Sequence, residues 1–281
     1  MITVTSVKDM KAFSRGWKAE GRTIGLVPTM GYLHEGHLSL VRESKKRTDV
    51  TVVSIFVNPA QFGPKEDFKK YPRDLERDSG LLEKEGAAVL FHPSAGEMYP
   101  PGYKTYAEVV DLGDRLCGKS RAGHFRGVAT VVLKLFNIVE PDVAFFGWKD
   151  AQQVVLLRKM AADLNLGTEI AACPLVREPD GLAMSSRNSY LSPDERRAAL
   201  VLSRSLGEAE REIRAGERDP GKVIAGIRSA IGAEPLARVD YVEIMDMEEL
   251  QPLRRLEGDV LIALAVFFGT TRLIDNTRVR V

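Results

Sequence analysis

The chain has 281 residues and a formal net charge of +1, with 44% hydrophobic and 28% charged residues. This balance is typical of a globular protein with one large domain or two smaller ones. A net charge near zero gives no bulk electrostatic field that would attract nucleic acid or an acidic membrane. We therefore expect neither as a partner.

The cysteine content and the first residues of the chain indicate where in the cell the protein is located. Cys117 and Cys173 are too few for a disulfide framework, which suits a reducing environment. No apolar run approaches the roughly 20 residues that a membrane-spanning helix needs. Residues 1–6 lead into fold-like sequence without the pattern of a signal peptide. These features predict a cytoplasmic location.

The first half of the chain alternates strand and helix patterns. The predicted strands are residues 23–28, 50–57, 87–91, 105–112, 143–146 and 168–172. The predicted helices are residues 7–19 (N-cap Ser6, with Val7, Met10 and Phe13 facing inwards), 38–46, 73–85, 127–139 and 150–164. This order predicts an α/β fold with a Rossmann-like parallel sheet, in which ligands bind beyond the carboxyl ends of the strands.

The pattern changes after residue 191. Ser192 and Glu195 form a capping box, and the helix that follows is predicted to reach residue 215. A second helix and three strands are predicted at residues 220–231, 239–245, 260–268 and 272–274. We predict two domains, residues 1–175 with the parallel sheet and residues 176–281 as a smaller α+β domain that covers it.

Residues 28–40, Pro-Thr-Met-Gly-Tyr-Leu-His-Glu-Gly-His-Leu-Ser-Leu, lie between a predicted strand and a predicted helix. Gly31 and Gly36 let the backbone pass close to a ligand, and His34 and His37 arrive as the helix begins. The free N–H groups and positive dipole end of a helix N-terminus suit phosphate. An imidazole at this place adds a hydrogen bond or a proton.

Two other interpretations of the histidines stay open. A zinc site of the His-Glu-x-x-His kind needs histidines four residues apart, whereas His34 and His37 are three apart with Gly36 between them. The alternative is that both rings only satisfy backbone groups of a turn. The phosphate interpretation is favoured because two of the chain's 4 histidines lie together here.

Amide side chains follow the strand at residues 50–57. Asn58 and Gln61 stand just beyond its end, where donor–acceptor pairs can hold a hydroxyl or carboxylate of a substrate. Asn-Pro is also a common turn former, so the alternative for Asn58 is turn chemistry.

The strand at residues 143–146 is followed by a second polar turn. Gly147 allows close backbone approach, Lys149 can reach a phosphate, and Asp150 can cap the next helix. That helix places Gln152 and Gln153 in its first turn, near the same crevice. A solvated lysine is the alternative for Lys149.

Residues 113–120, Gly-Asp-Arg-Leu-Cys-Gly-Lys-Ser, match the Walker A pattern letter for letter. A P-loop needs a helix that starts at its lysine, but Gly123 and Gly127 follow Lys119 closely and disfavour one. We therefore do not predict a P-loop. The basic loop at residues 119–126 is expected either to touch a ligand or to line a contact.

A hydroxyl and guanidinium cluster follows the Gly-containing turn at residues 176–184. Ser185 and Ser186 can hydrogen-bond phosphate oxygens, and Arg187 offers a planar fork to them. Alone, this motif is weak evidence for a phosphate site. Its combination with His34 and Lys149 makes that evidence stronger.

Five motifs in order resemble the pantoate–β-alanine ligase family. They are Pro-Thr-Met-Gly-Tyr-Leu-His-Glu-Gly-His, Phe-Val-Asn-Pro-Ala-Gln-Phe, Gly-His-Phe-Arg-Gly-Val, Gly-Trp-Lys-Asp-Ala-Gln-Gln and Asp-Gly-Leu-Ala-Met-Ser-Ser-Arg-Asn. The resemblance is colinear over residues 1–281. It implies a fold of the class I synthetase/nucleotidylyltransferase type and a cytoplasmic homodimer. It also implies that MgATP activates pantoate as an adenylate, which β-alanine then converts to the amide.

The resemblance also implies roles for individual residues. Phosphate stabilisation falls to His34, His37, Lys149, Ser185, Ser186 and Arg187. Further ATP contacts fall to Met30, Gly31, Tyr32, Leu33, Glu35, Gly36, Gly147, Trp148, Asp150, Val176 and Met184. Substrate contacts fall to Gln61, Gln153 and Asn58, and the magnesium site to Asp78.

The chain departs from the family pattern at Trp148, where we expect a polar residue, and at Ala122, where we expect proline. Two other functions stay open at this point. A nucleotidylyltransferase would share the His34–His37 turn but would transfer AMP to a phosphate, and Gln61 and Gln153 argue against this. A non-catalytic nucleotide-binding protein would tolerate the loss of Lys149 or His37, and both residues are present.

Overall fold

The computed structural model describes residues 1–64 and 66–281. Its strands are β1 (Ile2–Val4), β2 (Ile24–Thr29), β3 (Val50–Ile55), β4 (Val89–Phe91), β5 (Val143–Gly147), β6 (Glu169–Cys173), β7 (Ala237–Asp246), β8 (Asp259–Phe268) and β9 (Thr271–Arg280). Its helices are α1 (Val7–Ala19), α2 (Glu35–Arg47), α3 (Leu75–Glu85), α4 (Ala95–Met98), α5 (Cys117–Ser120), α6 (His124–Val139), α7 (Ala151–Asp163), α8 (Pro193–Ala199), α9 (Val201–Arg214) and α10 (Pro220–Gly232). Short 3-10 turns occupy Pro59–Gln61, Asp67–Lys69, Leu112–Asp114, Trp148–Asp150 and Ser186–Tyr190.

The first six strands form a parallel sheet in the order β1-β4-β3-β2-β5-β6. This confirms the predicted α/β, Rossmann-like fold class. Every residue of β3 is buried, which explains its β-branched, almost wholly apolar sequence. The chain builds outwards from β2 to β4 on one side and then returns to place β5 and β6 on the other. The junction of β2 and β5 is therefore the switch point at which such sheets bind ligands.

The ladder between β2 and β5 is short. It ends at the pair Leu26↔Ala144 after only two residue pairs, whereas β2 pairs with β3 along all six of its residues. Pro28 lies in the later part of β2 and has no backbone N–H to donate. The sheet is consequently open on its β5 side beyond Leu26.

Helices cover both faces of the parallel sheet. The buried face of α6 belongs to the main hydrophobic cluster together with β2, β3 and α7, while α2 and α3 form a second cluster on the opposite face. Across the described residues, no helix combines the length and apolar character needed to cross a membrane.

Strands β7, β8 and β9 form a smaller antiparallel sheet. Helices α9 and α10 pack on one face of it. The other face contributes side chains to the main cluster of the parallel-sheet part: Met245, Leu261 and Ala263. The smaller C-terminal α+β part is confirmed, and the domain boundary between residues 175 and 176 stays a prediction.

The structure corrects three expectations in the first half of the chain. Residues 105–112, all described, form no strand; this segment lies against α6, where the Ala107 N–H donates to Thr130 Oγ1 at 3.0 Å. Strand β1 was not predicted, because three residues are too few to show a period. Phe13 is 36% exposed and stacks on Trp17 rather than facing inwards.

Two expectations in the second half also change. The helix predicted from residue 192 to 215 is divided into α8 and α9 at Leu200, whose backbone stays near helical at φ −63° and ψ −16°. Strand β9 extends well beyond the predicted residues 272–274. Asp275 and Asn276 are poor strand formers, so the sequence pattern ended before them, yet both are buried.

Candidate active site

Two loops meet at the switch point. The loop after β2 carries His34 and leads into the first turn of α2, which carries His37, and the turn after β5 carries Lys149. A cavity of about 210 Å³ lies between them, and it borders a cleft of about 1130 Å³ in front of the small sheet. The predicted site residues that line the smaller cavity are Met30, His34, Gly36, His37, Asn58, Gln61, Gly147, Lys149, Asp150, Gln153, Val176, Met184, Ser185, Ser186 and Arg187.

Not every residue that was predicted to contact the nucleotide faces these cavities. Within the described chain, the linings of both cavities leave out Gly31, Tyr32, Leu33, Glu35 and Trp148. The predicted nucleotide contacts therefore fall into two groups, residues that line the cavities and residues that lie outside their linings.

Asp78 of α3 supports the loop before α2. Its carboxylate accepts the Tyr32 N–H at 2.6 Å and the Leu33 N–H at 2.8 Å, and the residue is 1% exposed. Gly31 and Tyr32 have φ values of +84° and +50°, in the left-handed region that a side chain rarely adopts. Two charge-assisted hydrogen bonds to one buried carboxylate hold the loop in this conformation.

The histidine rings stack with their centroids 4.0 Å apart. His37 Nδ1 accepts the backbone N–H of His34 at 3.3 Å. In a neutral ring the other nitrogen then carries the proton, so His37 presents an Nε2–H donor.

Both rings are held neutral at pH 7. Burial, aided by the Lys149 cation, lowers the pKa of His34 to about 4. Burial also drives the pKa of His37 well below its usual value, with further contributions from His34 and Lys149. These histidines therefore act as neutral hydrogen-bonding groups beside a single lysine cation.

Asn58 and Gln61 form one hydrogen-bonded unit beyond β3. Asn58 Nδ2 donates to Gln61 Oε1 and to the carbonyl of Gly127, each at 3.1 Å, and Asn58 Oδ1 accepts from the Ala60 N–H and the Tyr99 hydroxyl. The backbone groups fix the orientation of the Asn58 amide, which in turn directs Gln61 Nε2 away from Asn58. Because the amide of Asn58 is fully engaged, its direct contact with substrate stays a prediction.

Helix α6 approaches this turn backbone to backbone. A Cβ atom on Gly127 would lie 2.2 Å from the carbonyl oxygen of Ala60, so only glycine permits the contact. Gln61 Nε2 lies 3.1 Å from Met30 Sδ, a weak acceptor that a polar ligand could replace.

The two glutamines at the start of α7 have different surroundings. Gln153 lines both cavities. Gln152 is buried, and its Nε2 donates to backbone carbonyls in the 112–115 loop. Gln152 borders only the larger cleft and its amide is engaged by the backbone, while Lys149 and Gln153 line both cavities.

The Ser185–Arg187 segment reaches the cavity from the C-terminal side of the chain. It follows a short hairpin at residues 176–184, and Ser186 Oγ donates to the Tyr32 carbonyl at 3.2 Å. The Arg187 guanidinium donates twice to the carboxylate of Asp67, both at 2.9 Å. A phosphate at Arg187 would therefore share the guanidinium with Asp67 or displace it.

Arg121 and His124 are site residues that the sequence left undecided. Arg121 donates to both carboxylate oxygens of Glu66 at 2.8 and 2.6 Å, and His124 Nδ1 lies 2.8 Å from the Gln61 carbonyl. Burial, with Arg121 nearby, lowers the pKa of His124 to about 4. His124 belonged to the Gly-His-Phe-Arg-Gly-Val motif and Arg121 to the basic loop before it, but the helix was predicted to begin only at Gly127, whereas α6 begins at His124.

The Walker A-like segment does not build a P-loop. The helix at its end, α5, has only four residues. Lys119 is an exposed side chain, 3.9 Å from Glu243 of the small sheet. This agrees with the prediction from the glycines that follow it.

The acidic residues do not fit a protein-bound metal. In the described part of the chain, no three His, Cys, Asp or Glu side chains are grouped so as to hold a metal ion. Asp78, the predicted magnesium ligand, is buried with both oxygens engaged by backbone N–H groups. The zinc interpretation of His34 and His37 lacks a third ligand for the same reason.

The model of the family described as pantoate-beta-alanine ligase matches residues 2–278. The chain belongs to this family. A pantothenate synthetase from Acetivibrio thermocellus is 59% identical over 281 residues, which is 100% of both chains. This membership makes the chain a ligase, and it decides against the nucleotidylyltransferase and the non-catalytic alternatives.

Solved structures of the family agree with the fold. Pantothenate synthetase from Thermus thermophilus superposes with a TM-score of 0.95 at 43% identity, and the match covers 100% of each chain. The pantoate–β-alanine ligase from Francisella tularensis, complexed with β-γ ATP and β-alanine, gives a TM-score of 0.82 at 34% identity. That match covers 99% of this chain and 97% of the other.

Proposed function

We propose that the chain condenses pantoate with β-alanine in an ATP-dependent reaction that passes through a pantoyl adenylate. The observation that carries the proposal is the convergence of His34, His37 and Lys149 with the amides of Gln61 and Gln153 around one cavity. The relative from Francisella tularensis was crystallised with β-γ ATP and β-alanine, which supports the same classes of substrate here.

In the first half-reaction, a carboxylate oxygen of pantoate attacks the α-phosphorus of ATP. A new P–O bond forms, the bond from the α-phosphorus to its bridging oxygen breaks, and pyrophosphate leaves with that electron pair. Because a carboxylate is already ionised at neutral pH, this step needs alignment and charge stabilisation rather than a base. Lys149 supplies the cation, and the Nε2–H of His37 supplies a neutral donor.

In the second half-reaction, the amine of β-alanine attacks the acyl carbon of the adenylate. The C–N bond forms, the C–O bond to AMP breaks, and the amine nitrogen loses a proton. Gln61 and Gln153 hold the pantoyl group during both steps, and Asn58 orients Gln61.

The remaining ATP contacts are part of the same proposal. The loops at residues 30–37 and 147–150 approach the nucleotide, Val176 and Met184 border it, and Ser185, Ser186 and Arg187 surround the phosphates. Magnesium would accompany ATP through the phosphate oxygens, because Asp78 does not fit a metal.

The resemblance to the family further implies a cytoplasmic homodimer, and the sequence pattern favours a domain boundary between residues 175 and 176. These three statements remain proposals. Oligomeric state is the most accessible of them, because light scattering measures it directly.

The decisive experiment follows pyrophosphate release from MgATP. With pantoate alone we expect about one equivalent per site, since the adenylate stays bound; with β-alanine added, we expect turnover. A Lys149→Ala variant serves as the control for release at this site. Absence of pantoate-dependent release would contradict the proposal, and release that needs no carboxylic acid would point to a nucleotidylyltransferase reaction.

A further inference from the structure

Strand β9 carries two adjacent buried polar residues. Asp275 is 2% and Asn276 is 6% exposed. Successive side chains of a strand point to opposite faces, so these two residues reach different neighbours. Polar side chains buried in a strand are costly unless hydrogen bonds satisfy them.

Asn276 contacts the turn that carries Lys149. Its Nδ2 donates to the carbonyls of Trp148 at 3.1 Å and of Lys149 at 2.9 Å. Both partners only accept, so the opposite orientation of the amide would place its oxygen against two oxygens. The two hydrogen bonds therefore fix the amide as well as the turn.

Asp275 contacts the hairpin that precedes Ser185. Its carboxylate accepts from both terminal nitrogens of Arg177, at 2.8 and 3.0 Å. Arg177 also donates to the carbonyl of Gly181 across the hairpin, at 3.0 Å. A bidentate pair of this kind fixes orientation as well as distance.

We propose that Asn276 is a positioning residue for Lys149, and that β9 sets the spacing between the Lys149 turn and the Ser185–Arg187 segment through Asn276 and Asp275. This inference rests on the proposed function, because it assigns ATP to both loops. Neither residue itself needs to touch the substrates.

The first test is a pair of substitutions at Asn276. Asn276→Ala removes both donors, and we expect kcat for adenylate formation to fall about tenfold and KM for ATP to rise, with KM for pantoate unchanged. Asn276→Asp should be worse, because a carboxylate would face two carbonyls near the phosphates. If Asn276→Ala only lowered the fraction of active protein and left every KM unchanged, the proposal would be overturned.

The matched control lies one residue further along the same strand. Thr277 faces the other way and contacts Glu210 at 3.4 Å, so Thr277→Val should leave all kinetic constants within about twofold. If Asn276→Ala lowers the melting temperature by more than this control does, Asn276→Ser, which keeps one donor, repeats the measurement. Recovery of part of kcat in Asn276→Ser supports positioning, and no recovery contradicts it.

A double-mutant cycle with Lys149→Ala gives the sharper test. The readout is calorimetric affinity for a non-hydrolysable ATP analogue, so it does not need turnover. We expect Asn276→Ala to weaken binding about fivefold in the wild-type background and less than about twofold when Lys149 is already absent. Equal losses in both backgrounds would overturn the proposal. Failure of the proposed function would instead appear in the wild type, as absent pantoate-dependent pyrophosphate release.

Discussion

His34 and His37 begin a helix beside Lys149, where a further positive charge would be repelled by both the helix dipole and the lysine. Their lowered pKa values remove that charge at neutral pH. What remains is a pair of stacked, oriented imidazoles. In the proposed adenylation the transition state would gain charge on phosphoryl oxygens, and fixed neutral donors would stabilise it without reorganisation.

The two nitrogens of His37 can be tested separately. Glutamine places its amide near the position of Nε2, whereas asparagine places its amide near Nδ1. We expect His37→Gln to keep more adenylation activity than His37→Asn, which should lose about 100-fold in kcat. Pre-steady-state pyrophosphate release is the measurement. Higher activity in His37→Asn would mean that holding the loop through Nδ1 matters more than the donor.

Asp78 can be tested as a support of the loop rather than a metal ligand. Asp78→Asn keeps the shape but replaces one acceptor oxygen by a donor that faces a backbone N–H. We expect the free energy of unfolding to fall by about 1–3 kcal/mol, measured by urea denaturation. The magnesium concentration that gives half-maximal activity should not change. A clear increase in that concentration would restore Asp78 as a metal ligand.

At the scale of elements, the 3-10 turn Asp67–Lys69 supplies Arg187 with a carboxylate partner that would compete with a phosphate in the proposed ATP site. Asp67→Asn weakens that partner, so we expect KM for ATP to fall about threefold or more as competition for Arg187 is relieved. Asp194→Asn is the control, because it removes an exposed pair with Arg197 outside the site. A higher KM for ATP in Asp67→Asn would show that the turn assists binding instead.

The segment at residues 105–110, which belongs to no helix or strand, is the most exposed apolar candidate for the proposed homodimer contact. Tyr106 is 48% and Val110 is 75% exposed, and no strand within the described residues pairs with the segment. Exposed apolar side chains on such a segment offer a contact surface to a second copy of the chain.

We expect Val110→Asp to shift the protein from dimer to monomer, measured by light scattering during gel filtration. The control is Leu236→Asp, which introduces the same charge at another exposed apolar residue, 45% exposed. Dissociation by both variants, or by neither, would remove this segment from the interface.

Elements with a clear period were predictable from the sequence, and those defined by distant contacts were not. The alternation of β2, α2 and β3 follows from local apolar spacing, so the parallel sheet could be predicted. The alternation at residues 105–112 is equally regular, yet no partner strand is available to it within the described chain. Conversely, β9 continues through Asp275 because Arg177 and the Lys149 turn compensate for its poor strand propensity.

The same distinction applies to the site. His34, Lys149 and Ser185 could be predicted because each follows a strand end or belongs to a dense local motif. The Arg187–Asp67 pair joins residues 120 positions apart, and the bond from Asn276 to Trp148 spans 128 positions. Nothing in the sequence near these residues records such contacts, so they became visible only in the fold.

For the whole molecule, three partly buried histidines predict a dependence of stability on pH. In the unfolded chain His34, His37 and His124 titrate near pH 6.5, but in the fold the pKa of His34 and His124 is about 4 and that of His37 is also well below 6.5. Below pH 6.5 the unfolded state therefore binds protons that the folded state does not.

We expect the free energy of unfolding to be flat above pH 7 and to fall steadily from pH 6.5 towards pH 5, above the range in which most carboxylates titrate. Urea denaturation at half-unit steps of pH measures this slope. His124→Gln should reduce it, since one of the three groups is removed. If the free energy of unfolding stayed constant across this window, the three rings would take up protons in the folded state as readily as in the unfolded chain.

The seam between β2 and β5 has a consequence for the size of ligand that this fold accepts. Each residue of a parallel strand advances about 3.3 Å, so the three β2 residues beyond Leu26 correspond to a slot about 10 Å deep. Its depth depends on where a single ladder stops, because the β3 side of β2 is paired throughout. Proline is normally excluded from central strands, because it cannot donate a hydrogen bond to the ladder. Here, Pro28 lies in the part of β2 that is unpaired on the β5 side, and it has no N–H to extend the ladder, so the sequence itself favours an edge that stays open to a ligand.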